Sequence, residues 1–517
     1  MKATDKQVVI IGAGHNGLVA AYYLARAGLR VRVLERGEQI GGAVVTEELF
    51  PGHRLSTCAY FCHALQKKII DDLELRKHGF HVYPLDPTRF HPFPNGNYIR
   101  LWHDQHRSVE EIRRISSHDA EAWLPWLDFW GRAAGLLGDF FLRPPPTLHE
   151  LMAAARAKGE ENLLETLLLV PLKDLVERSF ESDEMRAFTA AAGGEQIDMA
   201  APGSALMTAY FRYSVQRPDS ENVGIVKGGM GSITQAMALA ATACGVSIET
   251  HREVARITVD DRAVSGVELV GGERFSGDVV VSNADPKQTF CRLVDPADLD
   301  QDFRSAIENL KTESGSLKFH GTLRELPDFS AHLGPSFDPR NLAMVMVCPS
   351  LAYARASLAD AASGRISRSP IIQLQIPSIY DPTLAPQGQH VVSMWAAFEP
   401  PHLHDQSWED ARDAAGEQLI AAITEYAPNF RDALTDWMIL TPEDMAARVG
   451  FTDGNIRHLD MSPDQFLSRR PLSGWAEYRT PIEGLYLCGA GTHPGGDVTG
   501  APGHNAAQAI LQTLAKN

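Results

Sequence analysis

The most restrictive feature of this sequence is a glycine motif near its start, Gly-Ala-Gly-His-Asn-Gly at residues 12–17. An apolar, β-branched run at 8–12 leads into the motif and predicts a buried parallel strand. Residues 16–27 follow with apolar residues at helical spacing, and residues 30–35 alternate as a second strand. This order predicts a right-handed βαβ unit in which the glycines form the turn between strand and helix.

The glycine motif is typical of a dinucleotide site because each glycine removes a side chain that would obstruct the cofactor. Gly12 permits the tight turn, Gly14 lets a pyrophosphate approach the backbone, and Gly17 lets helix and strand pack closely. Glu35 ends the second strand, where its carboxylate can accept the ribose hydroxyls. The helix start offers free amides to phosphate. These amides belong to His15 and Asn16. The alternative is a glycine turn in an ordinary α/β unit.

A glycine doublet, Gly41-Gly42, indicates which dinucleotide binds. It follows Glu35 by six residues, just past the second predicted strand. Two adjacent glycines let the backbone pass closely over bound pyrophosphate and ribityl atoms, which a simple nicotinamide dehydrogenase does not require. Taken alone, an ordinary turn explains the doublet equally well. Together with the first glycine motif, it predicts FAD.

Length, charge and cysteine usage limit the classes of partner. The chain has 517 residues, enough for about two to four domains. Its formal net charge of −17 argues against nucleic acid or an anionic membrane as a global partner. Its six cysteines include no Cys-x-x-Cys pair, so we predict no dithiol centre and no bound metal. We expect a cytoplasmic protein because no leader and no membrane-spanning apolar run is evident. Contact with a membrane surface stays open.

The section from about residue 100 to 215 is predicted to be mostly helical. Three of the eight tryptophans, Trp123, Trp126 and Trp130, fall within eight residues of it. Three interpretations of the aromatic stretch 123–141 are open. It is a buried helix of a second domain, the wall of a long apolar substrate tunnel, or a helix that dips into lipid.

Strand and glycine patterns typical of the first unit return twice along the chain. They recur from residue 226 to about 286, and again in the final segment, which reads strand, glycine-rich loop and helix. We therefore predict two discontinuous domains. The nucleotide-binding domain comprises residues 1–90, 222–300 and 472–517, and a substrate-binding domain with a helical insertion comprises 91–221 and 301–471.

Six segments together resemble one family of flavoproteins. They are VVIIGAGHNGLVAA at 8–21, ERGEQIGGAVVTEE at 35–48, KGGMGSITQAMA at 227–238, VVVSNADP at 279–286, GNIRHLDMSPDQFLSRRP at 454–471 and GLYLCGAGTHPGGDVTGAPGHNAA at 484–507. They resemble the phytoene dehydrogenase-like branch of the FAD-dependent phytoene dehydrogenase and amine oxidase superfamily. Within it they are similar to the pyridine nucleotide-disulphide oxidoreductase domain-containing protein 2 type. The resemblance implies an α/β fold with a Rossmann-type (GR2-like) FAD-binding domain and a discontinuous α+β substrate domain.

The resemblance also implies further contacts with FAD. Val254 pairs its backbone with the adenine, and the helix opening near Ala501 aims amides at the flavin N1–C2=O edge. Ala43 stands where many relatives have arginine, so Arg36 takes a share of the pyrophosphate contact. The remaining cofactor-binding residues implied in this way are Gly42, Val44, Asn283, Gly489, Asp497 and Val498. No cysteine occupies the position of a covalent flavin link, so FAD is expected to be bound non-covalently.

Candidates for proton transfer lie in the segments expected near the flavin ring. We name His458, His493 and Asp497, since histidine suits proton transfer near neutral pH. A structural hydrogen-bonding role is the alternative for each histidine. Asp497 is either a local specialisation or a loop residue that caps its own turn.

The resemblance favours a dehydrogenase or desaturase that passes a hydride from a hydrophobic, isoprenoid-like substrate to flavin N5. The electron acceptor is unknown, and the reverse reaction, a saturase, stays open. An amine oxidase is one alternative, against which Ala490 argues mildly. A non-catalytic flavin-binding regulator is the other.

Overall fold

The computed structural model describes residues 6–191, 197–215 and 222–516. Its strands are β1 (Gln7–Ile11), β2 (Arg30–Leu34), β3 (Thr46–Phe50), β4 (His53–Ser56), β5 (Val82–Pro84), β6 (Arg89–Pro92), β7 (Tyr98–Leu101), β8 (Gly224–Val226), β9 (Ser247–Glu249), β10 (Val254–Asp260), β11 (Ala263–Leu269), β12 (Arg274–Ser276), β13 (Val279–Ser282), β14 (Gly315–Leu323), β15 (Met344–Val347), β16 (Ile371–Gln375), β17 (His390–Glu399), β18 (Leu434–Leu440) and β19 (Leu485–Leu487).

The α-helices lie mainly between these strands and in one block before β8. They are α1 (His15–Arg26), α2 (Lys67–Asp72), α3 (Gln105–Arg113), α4 (Ser117–Gly138), α5 (Leu148–Lys158), α6 (Glu161–Leu169), α7 (Leu172–Ser179), α8 (Asp183–Ala191), α9 (Ser204–Val215), α10 (Gly231–Ala243), α11 (Pro286–Gln288), α12 (Gln301–Glu308), α13 (Ser330–Leu333), α14 (Leu351–Ala362), α15 (Trp408–Thr424), α16 (Phe430–Ala433), α17 (Pro442–Val449) and α18 (Ala501–Lys516). No described helix is both long enough and apolar enough to cross a membrane.

A five-stranded parallel sheet, in the order β19-β13-β1-β2-β9, gathers segments from the start, middle and end of the chain. Its central strands are buried on both faces, as their continuous apolar runs predict. Helices α1, α10 and α18 pack on one face, and the antiparallel sheet β10-β11-β12 packs on the other. Ile307 and Leu310, beyond the predicted boundary at 300, join the same core as β1.

A second, seven-stranded sheet has the order β18-β14-β17-β16-β15-β6-β7 and is antiparallel apart from the β6–β15 pair. One face packs on α15, and every residue of β14 is buried. Because β6 begins at Arg89, this sheet includes the last two residues of the segment predicted for the nucleotide-binding domain. The mixed α/β class predicted from the sequence is confirmed.

Helices α3 to α9 form a helical block with its own core. Trp123, Trp126 and Trp130 of α4 are buried in it, and Trp123 also lines the large cavity described below. Ser116 caps the start of α4, since its hydroxyl accepts a hydrogen bond from the Asp119 amide, and the helix continues through Pro125. The aromatic stretch is therefore buried as the first interpretation predicts, and it also contributes to a cavity wall, while its role in a substrate tunnel stays a prediction.

The crossing of α1 and α18 depends on a glycine. A Cβ atom placed on Gly503 would lie 2.1 Å from the carbonyl oxygen of Asn16. The Gly503→Ala substitution is therefore expected to destabilise the protein by about 3 kcal/mol through overpacking. Gly131→Ala is the matched control, since no atom lies within 4 Å of the added carbon and the glycine is helical. It should stabilise by about 0.5–1 kcal/mol. Equal thermal shifts for the two variants would contradict this account.

Candidate functional site

One cavity of about 890 Å³ extends from the carboxyl ends of the parallel strands to a face of the seven-stranded sheet. Many residues predicted to bind the cofactor line it. They are Gly12, Gly14, His15, Asn16, Glu35, Arg36, Gly42, Ala43, Val44, Val254, Asn283, Asp497 and Val498. Of the proposed proton-transfer residues, Asp497 and His458 line it as well. The fold thus brings these residues to a shared site from segments hundreds of positions apart.

Four predicted residues lie behind the cavity wall. Gly17 packs so closely that an added Cβ would lie 2.3 Å from the Gly12 carbonyl oxygen, which fits its predicted packing role. A Cβ on Gly489 would lie 2.8 Å from the Asn283 carbonyl oxygen. Ala501, the first residue of α18, is fully buried. His493 is discussed with the other histidines.

The start of α1 has the features that phosphate binding requires. Gly14 is its N-cap, and the Leu18 amide donates the first helical hydrogen bond to the Gly14 carbonyl at 3.0 Å. The three preceding amides have no partner within the helix. A Cβ on Gly14 would lie 2.7 Å from Nδ2 of Asn283. Within the described part of the chain, buried Nε2 of His15 and Oδ1 of Asn16 have no hydrogen-bond partner.

Glu35 is fixed at the end of β2 by two backbone amides. Its Oε2 accepts a hydrogen bond from Ala13 and its Oε1 from Gly37, both at 2.8 Å. Each carboxylate oxygen can accept more than one hydrogen bond, so both retain capacity for a hydroxyl. The carboxylate is therefore oriented into the cavity by the loop that it stabilises.

The glycine doublet passes directly over the first glycine motif. The Gly41 amide donates to the Ala13 carbonyl at 3.0 Å, and both glycines have positive φ, 125° and 58°. A Cβ on Gly41 would lie 2.5 Å from the Val44 carbonyl oxygen. This close crossing leaves the backbone of the doublet at the cavity wall, where side chains would fill the path of a cofactor.

Arg36 lines the cavity but is also tied to its rim. Its Nη2 donates to the carbonyls of Ala447 and Arg448, at 3.2 Å each, at the end of α17. These bonds compete with the pyrophosphate contact that the resemblance implied. Asp497, at φ 64°, accepts a hydrogen bond from Nη2 of Arg457 at 3.4 Å. Its backbone also bonds to His15, so the final loop is joined to the first glycine motif.

The predicted proton-transfer histidines are held in the neutral form. Burial, together with the nearby Arg470 and His15, lowers the pKa of His458 to about 3. Burial also lowers the pKa of His493 to about 4. His493 does not line the cavity, and its Nε2 bonds to the Phe140 carbonyl at 2.8 Å. The structure thus gives His493 a structural hydrogen bond instead of access to the site.

Buried Arg470 holds together two irregular segments of the cavity wall. Its guanidinium donates to backbone carbonyls on both segments. These carbonyls belong to Arg457, Leu459, Asp460, Gln465 and Ala490. No sequence motif marked this residue, although it lies inside the segment 454–471 that carried part of the resemblance.

No sequence pattern indicated the floor of the cavity. Met346, Gln373, Trp395 and Lys318 are cross-strand neighbours in one row over β15, β16, β17 and β14, and all line the cavity. A lysine in the middle of a strand that is buried throughout was the available feature. The partners of that strand lie too far along the chain for its own pattern to reveal them.

Comparison with known proteins assigns the class. The model of the family described as flavin containing amine oxidoreductase matches residues 17–511, and the chain belongs to this family. It is therefore a flavoprotein oxidoreductase whose cofactor is FAD, and the glycine-lined cavity fits that cofactor. The predicted family and cofactor are confirmed.

Two relatives and one solved structure illustrate the likeness. The chain is 35% identical to rat pyridine nucleotide-disulfide oxidoreductase domain-containing protein 2, covering 99% of this chain and 94% of the relative. It is 29% identical to a limonene dehydrogenase component from Castellaniella defragrans, covering 99% of this chain and 95% of that relative. The structure of putrescine oxidase bound to putrescine matches with a TM-score of 0.62 at 14% identity, covering 99% of each chain.

Removal of the Arg470 guanidinium should loosen the cavity wall. In Arg470→Met several buried carbonyls lose their donor, so we expect a loss of at least about 3 kcal/mol in unfolding free energy. Flavin release at moderate temperature should also be faster. The exposed neighbour provides the control Arg469→Met, for which the change should stay within about 0.5 kcal/mol. Equal melting temperatures for both variants would refute the proposed role of Arg470.

The buried histidines should make the protein sensitive to mild acid. Burial lowers the pKa values of His15 and His493 to about 4, and those of His91, His320 and His458 to about 3, from 6.5. The unfolded chain therefore binds more protons, and stability that is complete above pH 6.5 is lost as pH falls toward 4. Each histidine should contribute about 1.4 kcal/mol per pH unit in this window.

The measurement is the melting temperature at pH 7 and pH 5.5 for two variants outside the cavity. His91→Gln replaces a buried ring whose Nε2 bonds to the Cys348 carbonyl at 3.0 Å, and should reduce the pH dependence. His106→Gln changes an exposed ring and should leave it unaltered. An unchanged pH dependence in His91→Gln would argue against this explanation of acid sensitivity.

Proposed function

We propose that this protein is an FAD-dependent dehydrogenase or desaturase that takes a hydride from a C–H bond of a hydrophobic substrate. The observation that carries the proposal is the continuity of the cavity. Its glycine-lined end and a part lined by Met344, Met346 and Leu127 belong to one continuous space. A hydrophobic molecule in that part would therefore contact a cofactor held at the glycine-lined end.

We assign the two ends of FAD by the chemistry of the lining residues. Glu35 and Val254 suit the adenosine, and the amides at the start of α1 suit the pyrophosphate. Ala43, Val44 and Val498 would flank the ribityl chain and the flavin. Bound FAD supplies the hydride acceptor at N5, and the protein orients the donor C–H bond and excludes water. The similarity to a limonene dehydrogenase component supports an isoprenoid-like substrate.

The domain assignment is part of the same proposal. The parallel sheet with its helices would form the Rossmann-type FAD-binding domain, and the seven-stranded sheet with the helical block would form the substrate domain.

Because the buried histidines of the cavity wall are neutral near pH 7, the proposed hydride transfer uses no imidazolium. The electron acceptor is unknown. A cytoplasmic location stays a prediction, and contact with a membrane surface stays open.

The absorption spectrum of the purified protein tests this proposal. We expect a flavin spectrum that passes into the supernatant after heat precipitation, because the sequence predicts non-covalent binding of FAD. Gly14→Ala should retain at least about ten-fold less FAD, since the added carbon would crowd Asn283 in the phosphate turn. Gly135→Ala, a helical glycine with no atom within 4 Å of the added carbon, should retain FAD normally. A colourless wild-type protein that fails to take up FAD would overturn the proposal.

Bleaching of the bound flavin by substrates separates the enzyme from the regulator. Under the proposal, apolar terpenoid alcohols or alkenes should reduce the flavin under anaerobic conditions. A flavin that no substrate or chemical reductant reduces would instead indicate a regulatory flavin-binding protein.

An amine oxidase is the second candidate, favoured by one observation. The rings of Tyr60 and Trp395 both line the cavity and lie nearly parallel, with centroids 6.5 Å apart at 27°. Lys318 next to this pair disfavours an ammonium substrate, because its own amine would compete for the same partners. Release of hydrogen peroxide with simple amines would establish this alternative.

A further inference from the structure

Strand β14 presents two polar side chains to the cavity from the middle of a buried sheet. Ser316 and Lys318 are two residues apart and therefore point to the same face, while Leu317 and Phe319 pack in the core behind. Trp395 of β17 is the direct cross-strand neighbour of Lys318 and points the same way. These three side chains, Ser316, Lys318 and Trp395, are called the donor cluster below.

Each side chain of the donor cluster is buried. Ser316, Lys318 and Trp395 are 0%, 1% and 4% exposed. Within the described ranges, no protein group bonds to Oγ of Ser316, Nζ of Lys318 or Nε1 of Trp395. A buried polar group that stays unpaired costs about 1–3 kcal/mol. Three such groups on one wall of a cavity indicate a site shaped for a ligand.

The donors define the chemistry of that ligand. An indole N–H only donates, an ammonium only donates, and a hydroxyl can donate, so the ligand group must accept several hydrogen bonds. No acidic side chain in the described part of the chain forms an ion pair with Lys318. Its Nζ lies 3.6 Å from the centroid of the Tyr60 ring, and the Tyr60 hydroxyl already donates to Gln373. A carboxylate accepts several hydrogen bonds, and its negative charge would stabilise the protonated form of Lys318.

We propose that the donor cluster binds the carboxylate of an otherwise apolar substrate, so that the protein acts on a long-chain or isoprenoid monocarboxylic acid. The inference rests on the proposed function and names its substrate class. The neighbours of the cluster are apolar, with Met346 in the same cross-strand row and Met344 beside it on β15. Burial lowers the pKa of Lys318 well below its usual value, so the empty site favours the neutral amine, and a bound carboxylate would raise this pKa again by stabilising the ammonium.

The test uses the FAD-loaded protein and the perturbation of its flavin spectrum by added ligands. The probes are octanoate, oleate and farnesoate, with oleyl alcohol and oleylamine as head-group controls. We expect at least one carboxylate to bind, and the alcohol and amine of the same chain to bind at least about ten-fold more weakly. Equal binding of oleate, oleyl alcohol and oleylamine would overturn the proposal, as would failure of every carboxylate to bind.

Lys318→Met is the main variant because it keeps the length of the side chain and removes the donor. Carboxylate binding should weaken about ten- to hundred-fold, and oleyl alcohol binding should not change. The ligand-free variant should melt at an equal or higher temperature, since a buried unpaired amine is removed. Trp395→Phe and Ser316→Ala remove the other donors and should each weaken carboxylate binding several-fold. Lys287→Met, which changes a lysine outside the cavity, should bind like the wild type.

Two outcomes separate this inference from the proposed function. Carboxylate binding without flavin reduction would preserve the donor cluster as a site and count against the dehydrogenase. Reduction of the flavin by neutral terpenoids, with no carboxylate binding, would preserve the dehydrogenase and overturn the inference. Loss of FAD from Lys318→Met would show that the donors serve the cofactor, which also overturns it.

Discussion

The buried guanidinium of Arg470 is the interaction on which one wall of the site depends. The segment 455–465 and the loop at Ala490 contain little regular structure, so their carbonyls cannot be satisfied by a helix or a sheet. Arg470 supplies donors to both. Burial lowers its pKa to about 10, which leaves it charged near neutral pH. Because Arg457 and His458 belong to the same segment, one cation fixes the groups that face Asp497 and the first glycine motif.

The opposite wall depends on close backbone contact instead of charge. Three chain crossings meet at the carboxyl edge of the parallel sheet: the first glycine turn, the glycine doublet and the strand end at Asn283. The distances that a Cβ would have at Gly14 and Gly41 leave no room for side chains. This edge is where parallel α/β sheets bind ligands, since strand ends and helix starts converge there. A cavity between a rigid, glycine-lined edge and a sheet face can hold a cofactor on one side and a substrate on the other.

The glycine-lined edge was easier to predict from the sequence than the wall around Arg470. The βαβ unit, the role of Gly17 and the orientation of Glu35 follow from local order, because strand, turn and helix are contiguous. Arg470 and the floor residues Lys318 and Trp395 were missed because their partners lie elsewhere in the chain. His493 shows a different limit. A resemblance placed its loop near the site, yet the direction of its ring depends on the Phe140 carbonyl, which comes from the helical block.

The donor cluster and helix α4 line different parts of the same cavity. If a carboxylate occupies the cluster on β14 and β17, an apolar path continues along β15 toward α4. There Met346, Leu127 and Trp123 line the cavity. The Trp123 indole already donates to Gln105, so that end offers apolar surface without an unsatisfied indole donor. A substrate with a polar head and an apolar body would then find hydrogen-bond donors on β14 and β17 and apolar side chains on β15 and α4. The same helix that packs the core of the helical block therefore also contributes Trp123 and Leu127 to the cavity wall.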